Sequence, residues 1–161
     1  MKLDRFDLHI LAVLQTDGRI TKLKLAERIG LSPSPCHERV KRLEQAGYIR
    51  GYRALVDLDK LVRAATIFVE ITLDSHHAGD FRVFEDAIRE TPEVVECFAI
   101  GGGIDYLLKV IARDLDTYQA MIEDLLSRDI GIGRYFTYVV TKPIKQTSPS
   151  LGHLLDADIP G

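Results

Sequence analysis

The side chains best suited to meeting a polyanion are gathered between Arg19 and Arg53. Ser32 stands at a helix N-cap position with Pro33 at the first helical position, a combination that starts helices. Pro35 falls within the first turn, where its missing N–H removes no intrahelical bond. Cys36, Val40 and Leu43 then repeat at helical spacing and mark a buried stripe. That leaves Ser34, His37, Glu38, Lys41 and Gln45 facing outward. Ser34, His37 and Lys41 lie about one turn apart. A hydroxyl, an imidazole and an ammonium so placed can hydrogen-bond base edges in a major groove. Arg39 and Arg42 flank the buried stripe and are expected to reach phosphates, while Arg19, Lys22, Arg50 and Arg53 extend the basic surface. The start of this helix adds its dipole and unpaired N–H groups, which favour phosphate.

A second group is the run Gly101, Gly102, Gly103, Ile104 and Asp105. Three glycines in a row permit positive φ and close backbone approach. Their N–H groups could form a nest for the carboxylate of a small molecule, with Asp105 meeting its ammonium or ordering the loop. The same residues also read as a glycine-rich hairpin turn. A phosphate-binding P-loop is excluded, because no Lys-Ser/Thr pair follows and a strand comes next. No Ser/His/Asp set, paired carboxylates or zinc signature stands out, so no catalytic residues and no enzyme are expected. No metal is expected either: the doublet His76 and His77 has no Cys or acid at metal spacing and reads as solvated loop.

The elements that must position these groups fall into two sets. In the first third, Asp4 can cap a helix bearing Leu8, Leu11, Ala12 and Leu14. Thr21 can cap a short helix over 22–29, stopped by Gly30 in the usual place for a left-handed C-terminal residue. The Ser32–Pro33 helix follows, running to about Ala46 and ending at Gly47. Helix, tight turn and capped helix make a helix-turn-helix. Residues 48–56 read as strands or a short hairpin with a glycine in it, a wing beside the third helix. In the rest, strands are expected over 64–73, 94–100, 106–112 and 132–141, with helices over 80–90 and 115–126. The order β-α-β-β-α-β is the ferredoxin-like pattern, an antiparallel sheet with both helices on one face. Its other face also carries apolar residues and needs a cover, which argues for at least a dimer.

The chain is thus expected to be α+β, with a winged helix-turn-helix at 1–57, a linker at 58–63, a ferredoxin-like βαββαβ domain at 64–146 and a mobile tail at 147–161 in which Leu151, Leu154 and Leu155 could dock. Its 161 residues hold two cysteines, Cys36 and Cys97, both expected as small core residues. Charge supports the division. Residues 1–60 hold 12 Lys and Arg against 8 Asp and Glu, residues 61–161 hold 9 against 16, so balances of +4 and −7 make up the net −3. A basic segment beside an acidic one implies that only the first meets a polyanion. No apolar run is long enough to span a membrane and the first residues lack a signal peptide's apolar stretch, so a cytoplasmic protein is expected.

The ordered set LDRFDLHIL at 3–11, DGRI at 17–20, LA at 25–26 and LSPSPCHERVKRLEQAGYI at 31–49 resembles the leucine-responsive regulatory protein/AsnC (Lrp/AsnC) family. The likeness continues through FVEITL at 68–73, ECF at 96–98, DYLLKV at 105–110 and TYVV at 137–140 to Lys145. The resemblance implies a transcription regulator with a winged helix-turn-helix and a ferredoxin-like effector (RAM-type) domain. It also implies dimers that assemble further, often to octamers, control by amino acids or related metabolites, and no cofactor beyond that effector. It places Gly101–Gly103, Ile104 and Asp105 in the effector cleft, where the family loop reads Gly-Asp-aromatic-Asp. Gly102 and Asp105 fit; Gly103 and Ile104 replace the first acid and the aromatic, so the effector cannot be carried over. Thr137, Tyr138, Val139 and Val140 match the last-strand segment linked to effector binding or response. The loop and the stretch 134–145 are similar to activators of proline catabolism within the family, which points to proline. The competing readings are a nonspecific DNA-organising protein and a small-molecule enzyme on a ferredoxin-like domain; a regulator should prefer its operator over random DNA by about 10³-fold or more.

Overall fold

The computed structural model describes residues 2–155, with Asp59 and Leu155 described by their backbone alone. Two compact units emerge: the chain up to Leu55 together with the chain from Lys145, and Val56–Ile144.

The first unit holds three helices, α1 (Arg5–Thr16), α2 (Lys22–Ile29) and α3 (Pro33–Gln45). Each starts on a residue that can take over unpaired backbone donors. Asp4 accepts from the Asp7 N–H while the Asp7 side chain accepts from the Asp4 N–H, at 2.9 and 3.2 Å. Thr21 accepts from the Lys24 N–H at 3.3 Å. Ser32 takes the N-cap position of α3, but its side chain makes no cap bond. Gly30 ends α2 at φ 78°, a conformation that a side chain disfavours, and this lets the chain reverse into α3. Ile10, Val13, Leu25, Ala26, Ile29, Cys36 and Leu43 form the shared core.

After α3 the residues expected to pair as strands, 48–56, run irregular within this chain. The Tyr48 and Ile49 N–H groups both donate to the Leu43 carbonyl, at 3.0 and 3.3 Å, and Tyr52 donates to Glu44 Oε1 at 3.0 Å. These bonds fold the segment back on α3 instead of pairing it with a second strand. Gly51 sits at φ 148°, and residues 51–58 are exposed, leaving no buried face to hold a hairpin. One helical turn, Leu58–Lys60, lies within the expected linker.

The second unit is a four-stranded antiparallel sheet in the order β2-β3-β1-β4. Its elements are β1 (Ala65–Leu73), α4 (Ala78–Arg89), β2 (Val94–Ala99), β3 (Tyr106–Ala112), α5 (Leu115–Ser127) and β4 (Ile132–Val139). Burial alternates along β1 and β3: Ile67, Val69, Ile71 and Leu73, with Tyr106, Leu108, Val110 and Ala112, point into the core. Phe84 and Ile88 of α4, and Tyr118, Met121, Ile122 and Leu125 of α5, cover that face. Burying each such side chain contributes about 1.5–3 kcal/mol, so this face holds the domain together. Gly133 leaves little room for a side chain, since an added Cβ would lie 2.1 Å from Asp74 Oδ1 and 3.1 Å from the Asp74 nitrogen, and Asp74 would have to move.

Two expectations are corrected. Cys97 is exposed on edge strand β2, whereas Cys36 is buried. An edge strand has a neighbour on one side only, so apolar periodicity there does not guarantee cover. The stretch from 147 is not wholly loose: Leu151–Leu155 form a short helix, α6, and the Pro149 carbonyl accepts from Gln15 Nε2 at 2.9 Å. Residues 156–161 of the expected tail lie outside the described residues. Among the described residues no helix is long and apolar enough to cross a membrane.

Candidate functional site

In the first unit, Ser34, His37 and Lys41 are exposed on one side of α3, opposite the buried Cys36 and Leu43. Lys22 of α2 brings its Nζ to 3.3 Å from His37 Nε2, so the two share one patch. With Nε2 accepting from that ammonium, the His37 Nδ1–H is left as a donor. Arg19, Arg50 and Arg53 are exposed as well, and the Arg19 N–H is fixed by Asp17 Oδ1 at 3.0 Å. The start of α3 is a poorer anion site than a helix N-terminus usually makes. Pro33 and Pro35 have no N–H, so among the first three positions only Ser34 can donate one.

Arg39 and Arg42 have a task that the spacing of α3 did not reveal. Arg39 Nη1 lies 2.7 Å from both Asp4 Oδ2 and Asp7 Oδ1, and Arg42 Nη2 lies 3.0 Å from both Asp7 oxygens. Asp7 is fully enclosed. Hydrogen bonds to Asp4 and then Asp7 push the Arg39 guanidinium above its ordinary value. Asp4 is held below the usual carboxylate range by the Asp7 N–H and then by Arg39, with desolvation opposing. Only an alignment of α1 against α3 could have exposed this cluster, because its partners are more than 30 positions apart.

In the second unit, the Gly101–Gly103 run is an exposed bend between β2 and β3. None of the three glycines adopts positive φ, and a Cβ at any of them would meet nothing within 4 Å. Without a left-handed residue the run forms no nest of the αR–αL kind in this conformation. The loop is closed as a hairpin by the Ile100 N–H donating to the Asp105 carbonyl at 2.8 Å. Asp105 anchors it to the sheet: its N–H donates to the Ile71 carbonyl at 2.9 Å, and its Oδ2 accepts from the Leu73 N–H at 2.8 Å. These bonds tie the C-terminal end of the loop to β1.

Both histidines of the doublet are exposed in a loop, as expected, but His76 also has partners there. His76 Nε2 lies 3.0 and 3.1 Å from the two Asp105 oxygens, and its ring packs at a tilt 5.9 Å from Phe81. The His77 N–H donates to Asp80 Oδ2 at 3.2 Å and starts α4. Ile104 is half-buried beside them. Sequence reading missed His76 because its partner is far along the chain. Among the described residues, no group of three His, Cys, Asp or Glu could hold a metal ion.

Thr137–Val140 do not join this cluster within one chain. Asp105 meets β1 at Ile71 and Leu73, whereas Thr137 pairs with Val69 and the Val140 N–H donates to the Thr66 carbonyl. At about 3.3 Å rise per residue that separates the two groups by roughly 7–23 Å along the sheet. Thr137 and Tyr138 also lie on opposite faces. Thr137 shares a hydrogen bond with the Tyr118 hydroxyl on the helix side, and Tyr138 donates to Glu70 Oε2 at 3.1 Å on the open side. That open face carries Phe68, Leu107 and Ile111, flanked by Phe98 (49% exposed), Phe136 (50%) and Tyr138 (49%).

The chain matches two family models: a winged helix-turn-helix DNA-binding domain over residues 3–50 and the Lrp/AsnC ligand binding domain over residues 66–150. It is 56% identical over 151 residues to the transcriptional regulatory protein DoeX of Halomonas elongata, covering 94% of this chain and 96% of that one. It is 42% identical over 146 residues to the leucine-responsive regulatory protein of Escherichia coli K12, covering 91% and 89%. Among solved structures, a transcriptional regulator of Neisseria meningitidis in complex with L-Met superposes with a TM-score of 0.85 at 37% identity, covering 95% of this chain and 99% of that one. E. coli AsnC superposes with a TM-score of 0.83 at 27% identity, covering 93% and 99%. An exposed recognition-type helix on one unit, a ferredoxin-like sheet with a loop clasped to its end on the other, and these two matches in the same order give one conclusion: the chain belongs to the Lrp/AsnC family of transcription regulators.

Proposed function

We propose that the first unit reads an operator in double-stranded DNA through Ser34, His37 and Lys41, and that the second takes a small amino acid or related metabolite at a cleft between copies of the chain. The observation that carries the second half is the split of the expected effector residues. The clasped loop at 101–105 and the segment 137–140 lie toward different ends of one sheet, so a cleft using both needs a second copy. The open apolar face supplies the surface on which two sheets would pair. The L-Met bound to the Neisseria regulator supports an amino-acid effector. Gly103 and Ile104 leave the loop without a second acid or a ring, which favours a small effector. The protein works without any cofactor beyond that effector, in the cytoplasm where its DNA lies.

Binding shifts the arrangement of the heads only so far as the effector prefers one assembly over another. Calorimetry of the intact oligomer with a panel of amino acids, proline and methionine included, tests the effector half. The expected result is one tight binder that changes DNA affinity. Heat from none of them, with DNA binding intact, would refute it. The DNA half requires a preference of about 10³-fold or more for one selected duplex over random DNA at physiological salt.

A further inference from the structure

The C-terminal stretch returns to the DNA-binding head and packs on it. A groove of about 820 Å³ runs beside α1, lined by Leu8, Leu11 and Gln15 on one side and by residues 48–53 on the other. Leu151 of α6 enters it and is half-buried, whereas Leu154, on the same short helix, is 62% exposed. The Gln15 side chain donates to the Pro149 carbonyl at 2.9 Å and fixes where the stretch arrives. The opposite wall is the segment that has no hairpin of its own. Past Ile49, its side chains are tied to α3 through Tyr52 and Glu44. Arg50 and Arg53 line the groove with their neighbours yet remain exposed, so Leu151 shares the groove with this wall without covering its cations.

We propose that the stretch from Pro149 to Leu151 is a working part of the head, a strap that seats Leu151 against the 48–53 segment and holds Arg50 and Arg53 in place for a duplex. The strap's action rests on the reading of Arg50 and Arg53 as phosphate contacts. A cation held in position loses less freedom on meeting a phosphate than one on a loose loop.

The test uses the full chain as wild type, Leu151→Asp and Leu154→Asp. Amide exchange is followed at 8–15 and 48–53, and affinity is measured for a duplex that the wild type selects from a random-sequence pool. Leu151→Asp should speed exchange at 48–53 by about tenfold. It should also weaken the selected duplex by about three- to tenfold. Leu154→Asp should match wild type in both. Wild-type exchange rates in Leu151→Asp would overturn the strap, as would faster exchange with unchanged or tighter duplex binding. A wild type that selects no duplex would defeat the DNA reading and the strap's purpose together, while the exchange rates still decide whether the strap forms.

Discussion

Asp7 of α1 gives both of its carboxylate oxygens to Arg42 Nη2 of α3, each at 3.0 Å, and so ties the first helix to the helix that faces outward with Ser34, His37 and Lys41. The carboxylate is fully enclosed, but the arginine side chains keep contact with water, 25% exposed for Arg39 and 49% for Arg42. Removing Asp7 therefore leaves two cations that can rehydrate, and the loss falls below that of a wholly buried pair. Asp7→Ala should cost about 2 kcal/mol in the urea unfolding of the head. An unchanged unfolding midpoint would mean the cluster contributes nothing net.

The same cluster separates the cations of α3 by role. Lys41 is exposed and none of its bonds hold the fold in the way that Arg39 and Arg42 bridge α1 and α3. Lys41→Ala should weaken a selected duplex by about 1–3 kcal/mol with the thermal transition unmoved. Arg39→Ala should lower both stability and binding. Titration of a labelled duplex beside thermal melts distinguishes the two patterns, and equal loss of stability in both variants would contradict the assignment.

Local signals in the sequence carried most of the architecture. The Lys22–Ile29 helix, its Gly30 stop and the Tyr106–Ala112 strand lie where capping residues and alternation place them. What stayed hidden depends on partners distant in the chain. The Asp7–Arg42 and Asp105–His76 pairs each join residues about 30 positions apart, and no periodicity reports such a meeting. The 48–56 segment has strand-like composition, but a strand needs a neighbour, and this chain offers it α3 instead. The glycine run showed the residue type that can form a nest; the φ values it adopts follow from the closure at Ile100 and Asp105.

The open sheet face makes a prediction about assembly. Phe136 is half exposed on edge strand β4 and lies across Glu70 from Leu107, at the flank of the open face. Its side chain makes no contribution to the helix-covered core. Phe136→Asp should shift the protein toward monomers in sedimentation while far-ultraviolet circular dichroism stays unchanged, because a carboxylate beside Glu70 is strongly disfavoured once a second sheet removes both from water. Wild-type sedimentation for this variant would place the interface elsewhere.

Stability at high pH should depend on Tyr106. Burial, and then the Glu85 carboxylate that accepts its hydroxyl proton at 2.9 Å, push this phenol up to about 12. An unfolded tyrosine titrates near 10. Between those values the folded state binds more protons than the unfolded one, so stability is full below pH ~10 and falls as pH rises toward ~12. Tyr106→Phe removes that slope and costs about 1 kcal/mol at neutral pH from the lost hydrogen bond. Parallel melts of both proteins across this range check it; identical slopes would exclude Tyr106 as the source.

Gly102 offers a test that keeps the fold and the cleft apart. Its φ is not positive and an added Cβ meets nothing within 4 Å, so a side chain there strains nothing within the chain. If the loop at 101–105 approaches an effector through its backbone, branching at this position fills the space the effector needs. Gly102→Val should therefore melt within about 2 °C of wild type, less than the shift of a 1 kcal/mol change in a domain of this size. It should retain duplex binding and lose the heat of effector binding in calorimetry. Gly101→Ala, which adds one methyl at the edge of the same bend, should weaken that heat less. Normal effector affinity in Gly102→Val would show that the ligand does not touch this loop, and the search would move to the other side of Asp105, where His76 and Phe81 stand.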